Sequence, residues 1–204
     1  DTAQNEDGKY LRIIDYKSST KQIDLNEMLA GVQIQLLTYI DTIANKYRKI
    51  PAGVLYYNLI DPIIKSKKNL SEEEIEEKIR KEFRMKGLIL ADIKVIKMMD
   101  KKLESGSSSI IPVTINKSGE VSKLKSDIVT KEEFTKLREM VNKIIKQISN
   151  EILKGNIELK PMYNRKTKTA TCEYCEYRTI CGFNPNYNSY NFIGNKTKEE
   201  ILRI

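Results

Sequence analysis

The segment YLRIIDYKSS, residues 10–19, is an otherwise apolar strand candidate that carries an aspartate and a lysine two positions apart. On a β-strand, residues i and i+2 point to the same face. Asp15 and Lys17 therefore project together, while the flanking Ile14 and Tyr16 point the other way. The pair is either one polar face of a surface strand or an acid and a base placed side by side for chemistry.

The sequence after this strand predicts a helix whose polar residues belong beside the same pair. Asp24 and Glu27 have the spacing of a capping box, so we expect a helix that begins at Asp24 and runs through GVQIQLLTYID. Gln35 and Tyr39 are four residues apart and share one face of that helix. Five apolar residues on the neighbouring face are expected to pack on the sheet: Leu36, Ile40, Ile43, Ala44 and Tyr47.

Capping, turn and strand patterns predict the remaining helices, turns and strands. Capping boxes at Ser71 and Thr130 predict two further helices, the second of them ending at Gly155. Asp7-Gly8 predicts a tight turn before the first strand, and residues 101–109 are expected to form a loop. Further strands are predicted at residues 52–60 and 87–91, and a hairpin is predicted around Ser118-Gly119. Strands and helices without regular alternation predict an α/β or α+β domain with a central mixed sheet.

Composition narrows the classes of function. The chain has 204 residues, 40% hydrophobic and 31% charged, so it is globular, and no apolar run is long enough for a membrane span. Its net charge of +8 suits a polyanionic partner such as nucleic acid, although lysine-rich solvated faces explain the charge equally well. The chain contains no histidine, which excludes histidine bases and histidine-ligated zinc. It begins without methionine directly before a strand, so we expect it to be part of a larger protein.

All three cysteines fall within ten residues, in TCEYCEYRTICGF. Cys172, Cys175 and Cys181 are either structural residues of a small loop, a redox pair with one further thiol, or ligands of a metal. Zinc or a [4Fe–4S] cluster would each need a fourth ligand.

RIIDYKSS followed by DLNEMLAGVQIQLLTYID resembles the RecB-like branch of the PD-(D/E)XK nucleases. The similarity continues through YYNLIDP, RMKGLILADIKVIKMMD and the cysteine segment, so it covers nearly the whole chain. It implies a restriction-endonuclease-like α/β fold, with a central mixed sheet flanked by helices and truncated at its N-terminal side. Residues 1–170 would form the nuclease core, and residues 171–204 would form a cysteine-containing C-terminal segment.

The resemblance also implies the roles of site residues. Asp15 matches a ligand of Mg²⁺, and Lys17 matches the lysine that orients the attacking water and offsets charge on the scissile phosphate. Gln35 and Tyr39 match a helix motif that contacts the DNA backbone. This logic is physically sound, because phosphodiester hydrolysis needs a metal to generate hydroxide and a cation near the developing charge.

In the family, the three-cysteine segment holds a [4Fe–4S] cluster whose fourth cysteine lies far upstream. The resemblance therefore assigns Cys172, Cys175 and Cys181 to a cluster that joins the two ends of the nuclease domain. Family members also carry an aspartate on the preceding strand and a glutamate on an earlier helix, which this sequence lacks. We expect the full-length protein to be a nuclease and the isolated chain to be inactive and without a complete cluster.

The leading interpretation is a metal-dependent DNA exonuclease domain of a helicase–nuclease complex that processes double-strand breaks for recombination repair. It would cut single strands from unwound duplex in the bacterial cytoplasm, close to the nucleoid. Its heterodimer partner would be an AddA-type helicase–nuclease subunit. Two alternatives stay open: a catalytically silent nuclease fold that grips DNA or acts as a scaffold, and a CRISPR-associated RecB-like nuclease.

Overall fold

The computed structural model describes residues 1–203, which form ten strands and six helices. The strands are β1 (Thr2–Asn5), β2 (Gly8–Lys17), β3 (Ile50–Asn58), β4 (Lys86–Leu90), β5 (Gly106–Ser107), β6 (Thr114–Ile115), β7 (Ile128–Val129), β8 (Met162–Asn164), β9 (Thr169–Ala170) and β10 (Asn191–Phe192). The helices are α1 (Leu25–Leu29), α2 (Gln35–Tyr47), α3 (Glu72–Glu82), α4 (Ile93–Met99), α5 (Lys131–Leu153) and α6 (Lys198–Leu202). Within this described part, no helix has the length and apolarity needed to cross a membrane.

The chain divides into two compact units. The first contains residues 1–23 and 35–138, and the second contains residues 24–34 and the chain from Glu139 onward. The first unit holds a five-stranded sheet with the order β1-β2-β3-β4-β7, and the second holds a three-stranded sheet with the order β10-β8-β9. The large sheet mixes parallel and antiparallel pairs, which confirms the predicted α/β class with a central mixed sheet.

The predicted turn before the first long strand is present. The side-chain Oδ1 of Asn5 accepts hydrogen bonds from the backbone N–H groups of Asp7 and Gly8, and this closes the β1–β2 hairpin. β2 then pairs in parallel with β3, with Asp15 opposite Tyr56 and with one register shift next to Leu11. Because two parallel strands cannot be joined by a tight turn, the chain must cross over between them.

Helix α2 lies on this crossover path and packs against both strands that it connects. Its buried residues are Leu36, Leu37, Ile40 and Ala44. The prediction that Tyr47 belongs to this buried face was wrong, because Tyr47 is 58% exposed. It is the last residue of α2, where the ammonium groups of Lys46 and Lys49 lie 5.5 and 6.0 Å from its ring.

The single helix predicted from Asp24 onward is two helices in the structure. Asp24 does cap α1, accepting from the N–H groups of Asn26 and Glu27. The helix ends near Gly31, whose φ of +79° is a left-handed conformation that glycine adopts readily. Gln33 replaces the expected return bond of the capping box: its Oε1 accepts from the Asp24 N–H, and its Nε2 donates to the Glu27 carboxylate at 2.5 Å.

The other two capping boxes are confirmed. The Ser71 hydroxyl and the Glu74 carboxylate bond reciprocally to each other's backbone N–H groups at the start of α3. Thr130 and Glu133 do the same at the start of α5. Each such pair satisfies two donors that the first turn of a helix leaves free.

The hairpin predicted around Ser118-Gly119 is present but short. At its turn Gly119 has a φ of +84°, and on either side the Asn116 N–H donates to the Glu120 carbonyl and Ile115 forms an antiparallel bridge with Val121. β6 also pairs with β5, inside the segment that was expected to be a loop. Buried Ser108 explains this arrangement, because its hydroxyl donates to the Asp100 carboxylate at 2.7 Å and accepts two backbone N–H groups.

One hydrophobic core cluster of the first unit gathers residues from β3, β4, α4 and the segments around β6 and β7. Its buried members are Leu55, Met85, Ile89, Ile96, Leu103, Ile111, Val113, Ile115 and Ile128. Each fully buried aliphatic side chain of this size contributes about 1.5–3 kcal/mol relative to an exposed one. This core fixes β3, and β3 in turn fixes the polar end of β2.

Gly87 sets how closely β3 and β4 approach. A Cβ at this position would lie 2.1 Å from the carbonyl oxygen of Val54, and the φ of Gly87 is +150°. We expect Gly87→Ala to lower the free energy of unfolding by about 3 kcal/mol or more, because both the contact and the backbone conformation are strained. Urea denaturation of the purified chain measures this loss.

Gly119→Ala is the matched control for Gly87→Ala. Gly119 also has a positive φ, but no atom lies within 4 Å of its would-be Cβ, so only the conformational cost of about 1 kcal/mol applies. Equal destabilisation by the two substitutions would show that the contact with β3 is not tight.

Candidate active site

The C-terminal end of β2 carries the central pair of the candidate site. Asp15 Oδ2 and Lys17 Nζ are 2.9 Å apart, and 21% and 30% of the two side chains are exposed, respectively. The strand alternation predicted from the sequence thus places both groups on one face in direct contact.

The electrostatics of the pair keep the lysine charged. The pairing with Asp15 raises the pKa of Lys17 above its ordinary value, and the hydroxyls of Tyr56 and Tyr39 add to this effect, whereas desolvation opposes it. The carboxylate is less fully satisfied. Asp15 Oδ2 is buried and has an ion pair with Lys17, but it accepts no well-oriented hydrogen bond from residues 1–203. This oxygen therefore retains the capacity to bind a cation or a water molecule.

Helix α2 supplies the second pair of predicted residues. Gln35 Nε2 donates to Tyr39 Oη at 2.9 Å, as their shared helix face predicts. Both side chains are exposed, Tyr39 by 47%. The structure thus forms two contacting pairs, and the Tyr39 hydroxyl is close enough to Lys17 to influence its pKa.

Two residues of β3 shape the site and were not singled out from the sequence. The ring of Tyr56 is buried and lies 5.8 Å from Lys17 Nζ, a cation–π distance. Asn58, opposite Lys17, makes two hydrogen bonds to the backbone of Lys21, accepting at 3.0 Å and donating at 3.1 Å. In the sequence, both residues are marked only by their position in YYN. That position indicates a role in the site only when the β2–β3 register is known.

The three cysteines follow β9 in a run of turns in the second unit. Cys172 is half-buried, and Cys175 and Cys181 are exposed; all three are free thiols. Burial raises the pKa of Cys172, and the proximity of Cys181 and Cys175 raises it further. Across residues 1–203, however, no group of three histidine, cysteine, aspartate or glutamate side chains has the geometry to hold a metal ion.

Comparison with known proteins agrees with this geometry. The model of the PD-(D/E)XK nuclease superfamily matches residues 1–182. The chain is 44% identical over 211 residues to the B subunit of the ATP-dependent helicase/deoxyribonuclease of Clostridium kluyveri, and 43% identical over 212 residues to that of Acetivibrio thermocellus. The protein of the same name from Clostridium botulinum strain Hall is 43% identical over 209 residues.

These alignments cover 100%, 100% and 98% of the chain but only 18% of each relative, so the chain spans about a fifth of the length of the curated relatives that it matches. A family model that covers most of the chain confirms the resemblance seen in the strand and helix motifs. The chain belongs to the PD-(D/E)XK nuclease superfamily.

Proposed function

We propose that the chain is the nuclease region of a bacterial helicase–nuclease subunit and that Asp15 and Lys17 lie at its catalytic centre. The observation that carries the proposal is the ion pair at 2.9 Å, in which one buried carboxylate oxygen has no well-oriented hydrogen-bond donor among residues 1–203. The relatives, which are named as B subunits of ATP-dependent helicase/deoxyribonucleases, support the biological setting. DNA is then the substrate, and an AddA-type subunit is the heterodimer partner.

Nucleases of this superfamily generally use Mg²⁺. Asp15 suits the ion as one ligand, because its carboxylate oxygens are hard donors and its buried Oδ2 contacts the Lys17 ammonium without a well-oriented hydrogen bond. Asp15 would therefore hold the metal, which when bound supplies an activated water and polarises the phosphate.

The other three residues act on the substrate. Lys17, protonated at neutral pH, would orient the attacking water and offset the negative charge that builds on the phosphate oxygens. The Gln35–Tyr39 pair would donate hydrogen bonds to the DNA backbone, and the bond between the two side chains limits their rotation before DNA arrives.

One carboxylate holds Mg²⁺ weakly, so we infer that a second comes from a segment before residue 1. β1 runs antiparallel to β2, and the Arg12 N–H donates to the Asp1 carbonyl at 3.0 Å. If the strand continues in a longer chain, each earlier residue pairs one position further along β2. The residue three positions before Asp1 would then lie opposite Asp15, and we propose that it is acidic.

For the cysteines, the proposal is a [4Fe–4S] cluster in the longer protein. Three thiols in one short segment are the right donor type, but the described residues do not complete a site, so the fourth ligand must come from elsewhere in the parent chain. The cluster would be structural, and no catalytic step is assigned to it.

A silent nuclease-fold scaffold is the second candidate function. It is compatible with the Asp15–Lys17 contact at 2.9 Å, because a largely buried ion pair can also serve a purely structural role. Substitution of the Asp15–Lys17 pair separates it from an active nuclease.

Asp15→Asn and Lys17→Ala should each abolish most DNA cleavage. The first removes a charged metal ligand and the second removes the cation at the phosphate, so each should lower the rate by about 100-fold or more. The assay is cleavage of labelled single-stranded DNA with Mg²⁺ or Mn²⁺ by the longer protein without its partner, because a helicase–nuclease partner would add cleavage of its own.

Lys117→Ala is the control for loss of a lysine, because Lys117 is exposed and lies outside the candidate site. Circular dichroism should show that all variants are folded. Cleavage at the wild-type rate by both site variants would favour the silent scaffold.

An N-terminally extended chain should bind Mg²⁺ much more tightly than the 204-residue chain. Loss of one metal ligand or its support typically weakens metal binding by about 10- to 100-fold, so we expect at least that ratio between the Mg²⁺ dissociation constants of the two chains, measured by isothermal titration calorimetry. Changing the residue three positions before Asp1 to its uncharged amide should return the extended chain to the behaviour of the short one. Equal Mg²⁺ dissociation constants of the two chains would refute a second carboxylate in that segment.

Cys175→Ser and Cys181→Ser should each reduce the iron and acid-labile sulfide bound by the longer protein after anaerobic reconstitution. Tyr174→Phe is the control, because Tyr174 is exposed and lies between two of the cysteines. Full iron content in both cysteine variants would show that these thiols are not cluster ligands.

A further inference from the structure

An aromatic cluster covers part of the three-stranded sheet in the second unit. It consists of Tyr163, Phe183, Tyr190 and Phe192. The rings of Tyr163 and Tyr190 are 5.9 and 6.2 Å from Phe192, so two neighbours hold this ring in place. Phe192 nevertheless remains 47% exposed.

Arg165 is stacked on this ring. Its guanidinium carbon is 4.1 Å from the centroid of Phe192, within the range of a cation–π contact. Arg165 is exposed and forms no ion pair with a carboxylate among residues 1–203. A planar cation whose charge is not neutralised therefore lies on a fixed aromatic ring.

The backbone beneath Arg165 is held in place as well. Asn164 is buried, and its Oδ1 accepts hydrogen bonds from the N–H groups of Lys166 and Thr167. Its Nδ2 donates to Glu27 at 2.8 Å. These bonds fix the turn that follows β8, so the stacked guanidinium extends from a rigid support.

The platform opens onto a cleft of about 590 Å³ in the same unit, lined by Arg165, Lys166, Phe192 and Asn195 among others. Asp24 also lines it, but its carboxylate oxygen Oδ1 already accepts two N–H groups at the start of α1. The cleft thus combines a flat stacking surface, a second cation and an amide, and its volume is in the range of small-molecule sites.

We propose that this cleft is a nucleotide subsite for single-stranded DNA. An unstacked base would lie against the Arg165–Phe192 platform, and Lys166 would meet an adjacent phosphate. Aromatic rings and guanidinium planes bind bases of any sequence, and lysines follow the backbone. The inference rests on the proposed function in taking DNA as the ligand, but it assigns a binding site that none of the four candidate catalytic residues forms.

Fluorescence anisotropy of a labelled oligothymidylate tests the subsite with the 204-residue chain in EDTA, where no metal-dependent cleavage occurs. Stacking on one base is worth about 1–3 kcal/mol, so Arg165→Ala should weaken binding by about 5- to 150-fold. Arg165→Lys keeps the charge but loses the planar surface, and should bind nearly as weakly as Arg165→Ala.

Arg203→Ala is the matched control, because it removes an exposed arginine from the same unit outside the cleft. An abasic oligomer of equal length provides the second arm: wild type and Arg165→Lys should bind it equally, since no base is present to stack. Wild-type affinity of Arg165→Lys for oligothymidylate would overturn the stacking proposal and leave only an electrostatic patch.

Phe192→Leu provides a second variant with an independent expectation. It should weaken oligothymidylate binding at least about fivefold while its far-UV circular dichroism matches wild type. If the circular dichroism spectrum of Phe192→Leu differs from wild type, only the Arg165 variants are used to test the subsite. The Arg165 side chain is exposed, so its substitution should not disturb the fold. Binding is measured in EDTA, so these differences in affinity do not depend on whether Asp15 and Lys17 are catalytic. If Arg165→Ala binds oligothymidylate as tightly as wild type, the subsite is refuted and the catalytic proposal is unaffected.

Discussion

The parallel pairing of β2 with β3 is the constraint on which the candidate site depends. It places Asp15 beside Tyr56 and Lys17 beside Asn58, at the ends of the two strands. It also requires a crossover, and the crossover carries α2 back along the sheet. The strand pair and the helix with Gln35 thus come together because of one pattern of backbone hydrogen bonds.

The sequence predicted those parts of the structure that depend on local chemistry. Side-chain alternation gave the Asp15–Lys17 face, four-residue spacing gave the Gln35–Tyr39 contact, and capping boxes gave the starts of α3 and α5. Each depends on residues at most four positions apart, so each could be identified before the fold was known.

The predictions that failed concern features that depend on contacts between residues far apart in the sequence. α1 ends near Gly31, whose φ is positive, and the Asp24 N–H donates to Gln33, nine residues away, in place of the local return bond from Glu27. The pairing of β6 with β5 was missed because the contacts of Ser108 with Asp100 and with two backbone N–H groups leave no local sequence motif. Tyr56 and Asn58 could not be assigned to the site either, because their role depends on a register between strands that are about forty residues apart. The platform of Arg165 is similar, since Phe192 reaches it through strand pairing.

The two hydrogen bonds between Asn58 and the backbone of Lys21 have a consequence for dynamics. Together with the Leu59 N–H, which donates to the Lys17 carbonyl at 2.7 Å, they tie down the chain immediately after the last residue of β2. Strand ends normally fray, and fraying here would let the lysine ammonium drift among many positions. Part of the entropy of positioning this lysine is therefore lost during folding, and that part need not be lost again when a phosphate arrives.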